Sequence, residues 1–456
     1  MSQKKKSKQM DISLIGIVDN IVFSKSDAWA YYKLTNRAFD FLTEEGQASL
    51  IQKLTNAFNA LMQDKEESLE CHLIVTHVPV DVDLWREQIE TISQDWNRPV
   101  GYKKYMDDVT RFLHNKAYNA KVVYLGVNLG KRGALNMDGL NIFELGFKGA
   151  LETVKEWGSQ ALAIPSEAIS EQEERVFRAK EQEILRKLKN GHLRATPCDS
   201  EELLLMIKRQ FYPAMPSPYL DVDHESRLGS GDLALEASSV VENHYRWLKI
   251  SQVIDDRELT GYRCTLSMTK FPRVMEFPGS QPFFYFMEKL GLPFTTFSRF
   301  ELRPTKKMMS ELEKKKKEQR DEIENLSMGS DALDSVVSGT PTHVRDALAD
   351  SQMLAEILEQ DKTAWVVGSY FLTLEAPDEK VLREYVSAVK QYFADLEINI
   401  NWTAGDQAQL FLSQMPGDKR RIKSFDQVTT LNMLPSSGFN FSSEVGDPIY
   451  GTSEAI

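Results

Sequence analysis

Seven histidines are the residues of this chain best suited to hold a metal ion. His72 and His77 share the strand-like segment CHLIVTHVPV. An interval of five puts them on opposite faces of a strand, where side chains alternate with period two, so they cannot chelate one ion as neighbours. His114, His192, His224, His244 and His343 are scattered, which leaves no set with the spacing of a zinc site. Cys71, Cys198 and Cys264 lie far apart without a CxxC pair, an odd count that fits a reducing cytoplasm better than a disulfide framework. No GxSxG elbow is present, and the 67 acidic residues single out no pair for acid–base work. The sequence predicts no catalytic residue, no cofactor ligand and no metal site within these 456 residues.

Phosphate binding is the chemistry most nearly imitated. A P-loop needs GxxxxGK[ST], whose backbone N–H groups cradle phosphates while its lysine neutralises them. GVNLGKRG, from Gly126 to Gly133, has a Gly-Lys pair, but arginine stands where Ser or Thr must hold magnesium, and its first glycines are too close together. It reads as a turn after a strand. RLGSGDL, around Gly229 and Gly231, lacks the third glycine of a dinucleotide site and reads as linker. A later stretch has sharper punctuation: AGDQAQLFLSQMPGDKR, from Ala404 to Arg420, with Gly-Asp pairs at both ends. Asp406 is placed to cap a helix over 407–414 by accepting a backbone N–H, an effect worth about 1 kcal/mol. Pro416, Gly417 and Asp418 then turn the chain, and Lys419, Arg420, Arg421 and Lys423 make a basic step. Gly405, Asp406, Gly417, Asp418, Lys419, Arg420 and Arg421 are the residues this pattern marks as a hinge or interface.

The elements that must position these residues alternate strands with helices. DISLIGIVDNIVFSKSDAWAYYKLT reads as antiparallel strands with a turn over 24–27. A helix follows from about Thr43, with Leu50, Leu54, Phe58 and Leu61 on one face. Next come the strand holding His72, a long helix over about 83–114, the strand KVVYLGVNL and a helix near 141–157. Ser170 and Glu173 have capping-box spacing at the start of a charged helix ending near Gly191. Asp199 or Ser200 caps EELLLMIKRQFY. The Pro-, Gly- and Ser-bearing stretch 213–235 then reads as a linker. Beyond it, strands around HYRWLKIS, GYRCTLSMTKFP and FTTFSRFELRP lead to two charged helical stretches over about 305–360, a projecting helical hairpin. AWVVGSYFLTL reads as a buried strand, followed by a helix over 378–393 and the strand EINI. The fold class expected is α+β in two alternating strand/helix units, 11–212 and 236–430, after a basic disordered tail over 1–10 and before an exit segment over 431–456.

The hydrophobic fraction of 42% supports sizeable cores. The net charge of −12 argues against a global basic surface for nucleic acid. No apolar run reaches the roughly 18 residues of a spanning helix. The lysines of MSQKKKSKQM suggest a solvated tail, or weak attraction to an anionic membrane surface. Lys314 to Lys317, among acids of both neighbouring turns, read as a solvated helix face.

In order along the chain, DNIVFSKSDAWAYYKL, ATPCDSEELLLMIKRQF, YRCTLSMTKFPRVMEFPGSQPFFYFMEKLGLPFTTFSRFEL and GDQAQLFLSQMPGDKR with LPSSGFNFSSEVGDPIYG resemble the amino-terminal half of conjugative-transfer ATPases of type IV secretion systems, the CagE/TrbE/VirB family, in its Gram-positive conjugative-element form. In that family such a segment leads into an ATPase domain with Walker motifs. The resemblance implies a P-loop only beyond Ile456, with ATP and Mg belonging to a full-length protein and no cofactor to this chain. It implies a docking role, coupling the attached ATPase domain to membrane-embedded components of the conjugation channel, at the inner face of the cell membrane. It also implies a homo-oligomer. No direct nucleic-acid binding is expected of this portion, and a stand-alone cytoplasmic scaffold is the alternative.

Overall fold

In the computed structural model the chain is described over residues 12–40, 42–62, 67–79, 86, 89–90, 101–116, 119–132, 169–190, 192–211, 227–228, 240–254, 257–271, 282–292, 294–330 and 364–442. Alternation of branched and aromatic residues around tight turns builds the strands. β1 (Leu14–Val18), β2 (Ile21–Ser24) and β3 (Asp27–Leu34) form a meander, with the predicted turn held by Asp27 N–H donating to Ser24 Oγ. β4 (Arg37–Ala38) follows, then β5 (Leu69–Pro79), β6 (Asn119–Lys131), β7 (Ala195–Pro197) and β8 (Arg227–Leu228). The later strands are β9 (Val240–His244), β10 (Trp247–Ile254), β11 (Arg257–Lys270), β12 (Phe294–Arg303), β13 (Trp365–Ala376), β14 (Asn399–Trp402), β15 (Gln427–Thr430) and β16 (Phe441–Ser442).

Fourteen of these strands join one sheet, in the order β8-β1-β2-β3-β6-β5-β12-β13-β11-β10-β9, with β7 on β3, β14 on β11 and β15 on β13. The fold is therefore α+β, with an antiparallel sheet at its centre. Residues 11–212 and 236–430, set apart in the sequence as two units, contribute neighbouring strands: β5 pairs with β12 from Leu69↔Leu302 to Val75↔Thr296. Buried β13 lies next to them, its strand run apolar because both faces are covered.

Helices cover both faces. α1 (Glu44–Leu61) starts where Thr43 accepts from Gly46 N–H and buries Leu54, Phe58 and Leu61. α2 (Tyr102–Lys116) occupies the end of the long helix expected over 83–114; most of the rest of that stretch is outside the described residues. α3 (Glu171–Asn190) has the predicted capping box, with Glu173 N–H on Ser170 Oγ and Ser170 N–H on Glu173 Oε2, each 3.2 Å. α4 (Ser200–Arg209) is capped by Asp199, and α5 (Phe283–Met287) runs into a 3-10 turn. α6 (Thr305–Ser330) covers the first of the two charged stretches expected to form a hairpin; its Met308 and Leu312 pack on Trp365 and Val367 of β13. The second arm, like the tail over 1–10 and the helix near 141–157, falls outside the described residues. α7 (Glu379–Asp395) is capped by Asp378, and α8 (Gln407–Ser413) and α9 (Met433–Ser436) complete the order. α1, α3, α5 and α7 share the larger core with alternate residues of the central strands. α4 and α8 lie on the opposite face, over Trp29, Tyr31, Ile74, Tyr124, Phe297 and Phe371.

The imitation of a P-loop is explained by packing. Gly126 lies inside β6 rather than in a turn, because a Cβ there would collide with the Tyr31 ring.

Candidate functional site

The sequence-marked stretch 404–421 lies across the middle of the sheet face that carries α4 and α8. Residues 411–418 are all buried. Two arginines, on the strands that flank β13, hold it there. Arg299 of β12 donates from Nε to Ser413 O at 2.9 Å and from Nη2 to Met415 O at 3.0 Å. Arg263 of β11 donates to Gln414 Oε1 and, at 3.1 Å, to Gln210 O at the end of α4. The carbonyls at a helix C-terminus carry partial negative charge and lack internal partners, so cations belong there. Each guanidinium also lies over a ring 5.0 Å away, Arg299 over Trp29 and Arg263 over Phe411. Burial lowers the proton affinity of Arg299, and Tyr31, Glu70 and Asp418 oppose that shift. Glu375 stands 3.6 Å from Arg263.

Gln407 solves a separate problem. β10 stops pairing with β11 at Leu248↔Arg263, and β14 begins at Trp402↔Leu266. Thr265 in the gap would lose both backbone partners. The Gln407 amide supplies them, accepting from Thr265 N–H at 2.8 Å and donating to Thr265 O at 2.9 Å. Asp406 sits at the predicted N-cap, yet makes no side-chain cap bond, because its φ −94° and ψ 4° depart from the extended cap conformation. Gly405 adopts φ +86° and donates its N–H to Tyr245 O at 2.7 Å.

Gly417 turns the chain at φ +74°, and a Cβ there would run into Val22. Its N–H donates to Tyr31 Oη at 2.8 Å, and Tyr31 Oη lies 3.0 Å from His72 Nδ1. The hydroxyl thus bridges the Gly417 N–H and the His72 ring. Burial and the Arg299 charge push the His72 pKa well down. Asp418, fully buried, accepts from Ser13 Oγ and from Arg421 Nε at 2.6 Å. Arg420 pairs with Asp426, which also takes the Ser369 hydroxyl at 2.6 Å, while Lys419 is exposed. The fold thus brings Gly417, Asp418, Arg420 and Arg421 to one buried seam and leaves Gly405 and Lys419 at its rim.

Sequence reasoning passed over Arg263, Arg299, Gln407 and Gln414. The available signal was an arginine at a position alternating with apolar residues in YRCTLSM and FSRFEL, where one sheet face should be buried. Beside the seam, Ile74, Thr76, Tyr124, Arg209, Arg263 and Gln414 line a cavity of about 40 Å³. That is room for about three waters. Among the described residues no cluster of His, Cys, Asp or Glu is arranged to hold a metal, and no helix is long and apolar enough to cross a membrane.

Neither a protein-family model nor a curated protein matches the chain.

Proposed function

We propose that this chain is the non-catalytic docking portion of a conjugative-transfer motor, coupling an ATPase domain that follows it to membrane-embedded components of the conjugation channel. The observation that carries this reading is the seating of residues 404–442 on strands from both ends of the chain. Arg263 and Arg299 hold 413–415 from β11 and β12, and Tyr31 and Ser13 hold 417 and 418 near the N-terminus. Farther on, Lys121 donates to Phe441 O at 2.9 Å, and β16 pairs in parallel with β4. A load applied beyond residue 442 would reach the whole sheet through these contacts, as coupling requires. On this reading ATP and Mg are bound by the following domain, and the docking portion works peripherally at the inner face of the membrane, through a partner or its lysine tail.

The test measures ATP hydrolysis by purified 1–456 protein beside a form extended to the natural end of its gene. Hydrolysis by the extended form alone is expected. Hydrolysis by 1–456 overturns the reading, and hydrolysis by neither leaves the chain as a scaffold without a motor.

A further inference from the structure

The cavity beside the seam lies between the sheet and the end of α4. Ile74 and Tyr124 of the sheet and Leu205 and Met206 of α4 give it apolar walls, and Arg209 and Arg263 stand in it together with Glu375. Two guanidiniums therefore share one carboxylate. Glu375 lies opposite Arg263 in the register of β13 with β11, and its carboxylate is 3.6 Å from Arg263 Nη1. Burial lowers the proton affinity of both arginines, and Glu375 is the carboxylate that opposes the shift in each. Arg263 is only 1% exposed, and a surplus positive charge held so far from water is costly unless an anion offsets it.

Hydrogen bonding around the cavity is unfinished as well. Arg263 spends Nη1 on Gln210 O and Nη2 on Gln414 Oε1, and Arg209 spends Nη2 on His77 O. Arg263 Nε and Gln210 Oε1 are buried and, among the described residues, have no partner. Buried polar groups in folded proteins are nearly always paired, so a guanidinium N–H left over beside a cavity is able to take an acceptor from solution.

We propose that this cavity binds a small monocarboxylate, with its carboxylate between Arg209 and Arg263 and its short apolar chain against Ile74, Leu205 and Met206. One surplus positive charge calls for a monoanion. A phosphate dianion would meet Glu375 with nothing left to neutralise its second charge. Apolar walls favour an acid that carries a methyl group over chloride, which gains nothing from them. A volume of about 40 Å³ admits an acid of about four or five non-hydrogen atoms, such as acetate or propionate, and no longer chain. This inference stands apart from the motor reading and survives its failure.

Saturation-transfer NMR tests it on the full chain, with acetate as the probe at mildly alkaline pH and constant ionic strength. Transfer from the protein to the acetate methyl group is expected, saturating at about millimolar acetate, as suits so small a ligand. Propionate should displace acetate, whereas phosphate, chloride and octanoate should not. Leu205→Trp fills the cavity from α4 while leaving both arginines in place, and should abolish transfer. Arg209→Met should weaken binding about tenfold or more. Glu375→Gln removes the competing carboxylate, so acetate should bind about tenfold tighter and phosphate should begin to compete. A gain of that kind cannot come from a misfolded variant. No transfer to acetate at any concentration would mean that water alone fills the cavity, and overturns the proposal. So does transfer that Leu205→Trp leaves intact, displacement by phosphate in the wild type, or binding that Glu375→Gln does not tighten.

Discussion

Tyr31 Oη accepts from Gly417 N–H and shares a hydrogen bond with His72 Nδ1, so one buried hydroxyl ties the late turn to β3 and β5. Burial lowers the His72 pKa well below its ordinary value, and lowers that of His77 to about 4. Groups whose pKa is depressed on folding stabilise in full above the unfolded value of about 6.5, and that contribution is lost as pH falls toward the folded value. Each histidine therefore costs up to about 1.4 kcal/mol per pH unit below 6.5. Urea midpoints should fall between pH 7 and pH 5, before most carboxylates titrate. His72→Gln should flatten that slope while lowering stability at pH 7. An unchanged slope would mean that His72 does not stay neutral in the folded chain.

At the scale of the element, α8 illustrates how a recognisable cap position need not do the capping. Asp406 holds the place, but the bonds that matter are made by Gln407 to Thr265 and by the two arginines at the far end. Asp406→Ala should change the unfolding free energy by less than about 0.5 kcal/mol. Gln407→Ala strands the buried N–H and C=O of Thr265 and should cost about 1–3 kcal/mol. Denaturant titration of the two variants side by side decides the matter; equal losses would contradict the assignment. The asymmetry arises because Asp406 makes no cap bond to lose, whereas a gap between two strands within a sheet has no water to fall back on.

Over the whole molecule, the pairing of β5 with β12 and the return of 413–442 to Ser13, Tyr31 and β4 make early and late sequence interdependent. Removing residues 403–456 would uncover Trp29, Tyr31, Arg263 and Arg299 at once. The expected outcome is a single calorimetric transition in the intact chain, with calorimetric and van't Hoff enthalpies equal. A 1–402 fragment should lose fixed tertiary structure. Two resolved transitions would show instead that the early and late strands fold as separate units.

The sequence by itself determined the local elements. Thr43, Ser170, Asp199 and Asp378 start helices because their side-chain oxygens satisfy N–H groups a few residues on, an interaction wholly contained in a short stretch. Period-two alternation set the strand faces, and the interval of five set His72 and His77 apart on opposite sides. Only the tertiary structure decided that β5 meets β12, and that Arg263 and Arg299 point toward a helix end more than a hundred residues away in sequence. Strand alternation states which face a residue occupies and not what will cover it. The cover comes from segments remote in sequence, so the partners of a buried arginine, a lone glutamine or a strained glycine emerge only when the sheet is assembled.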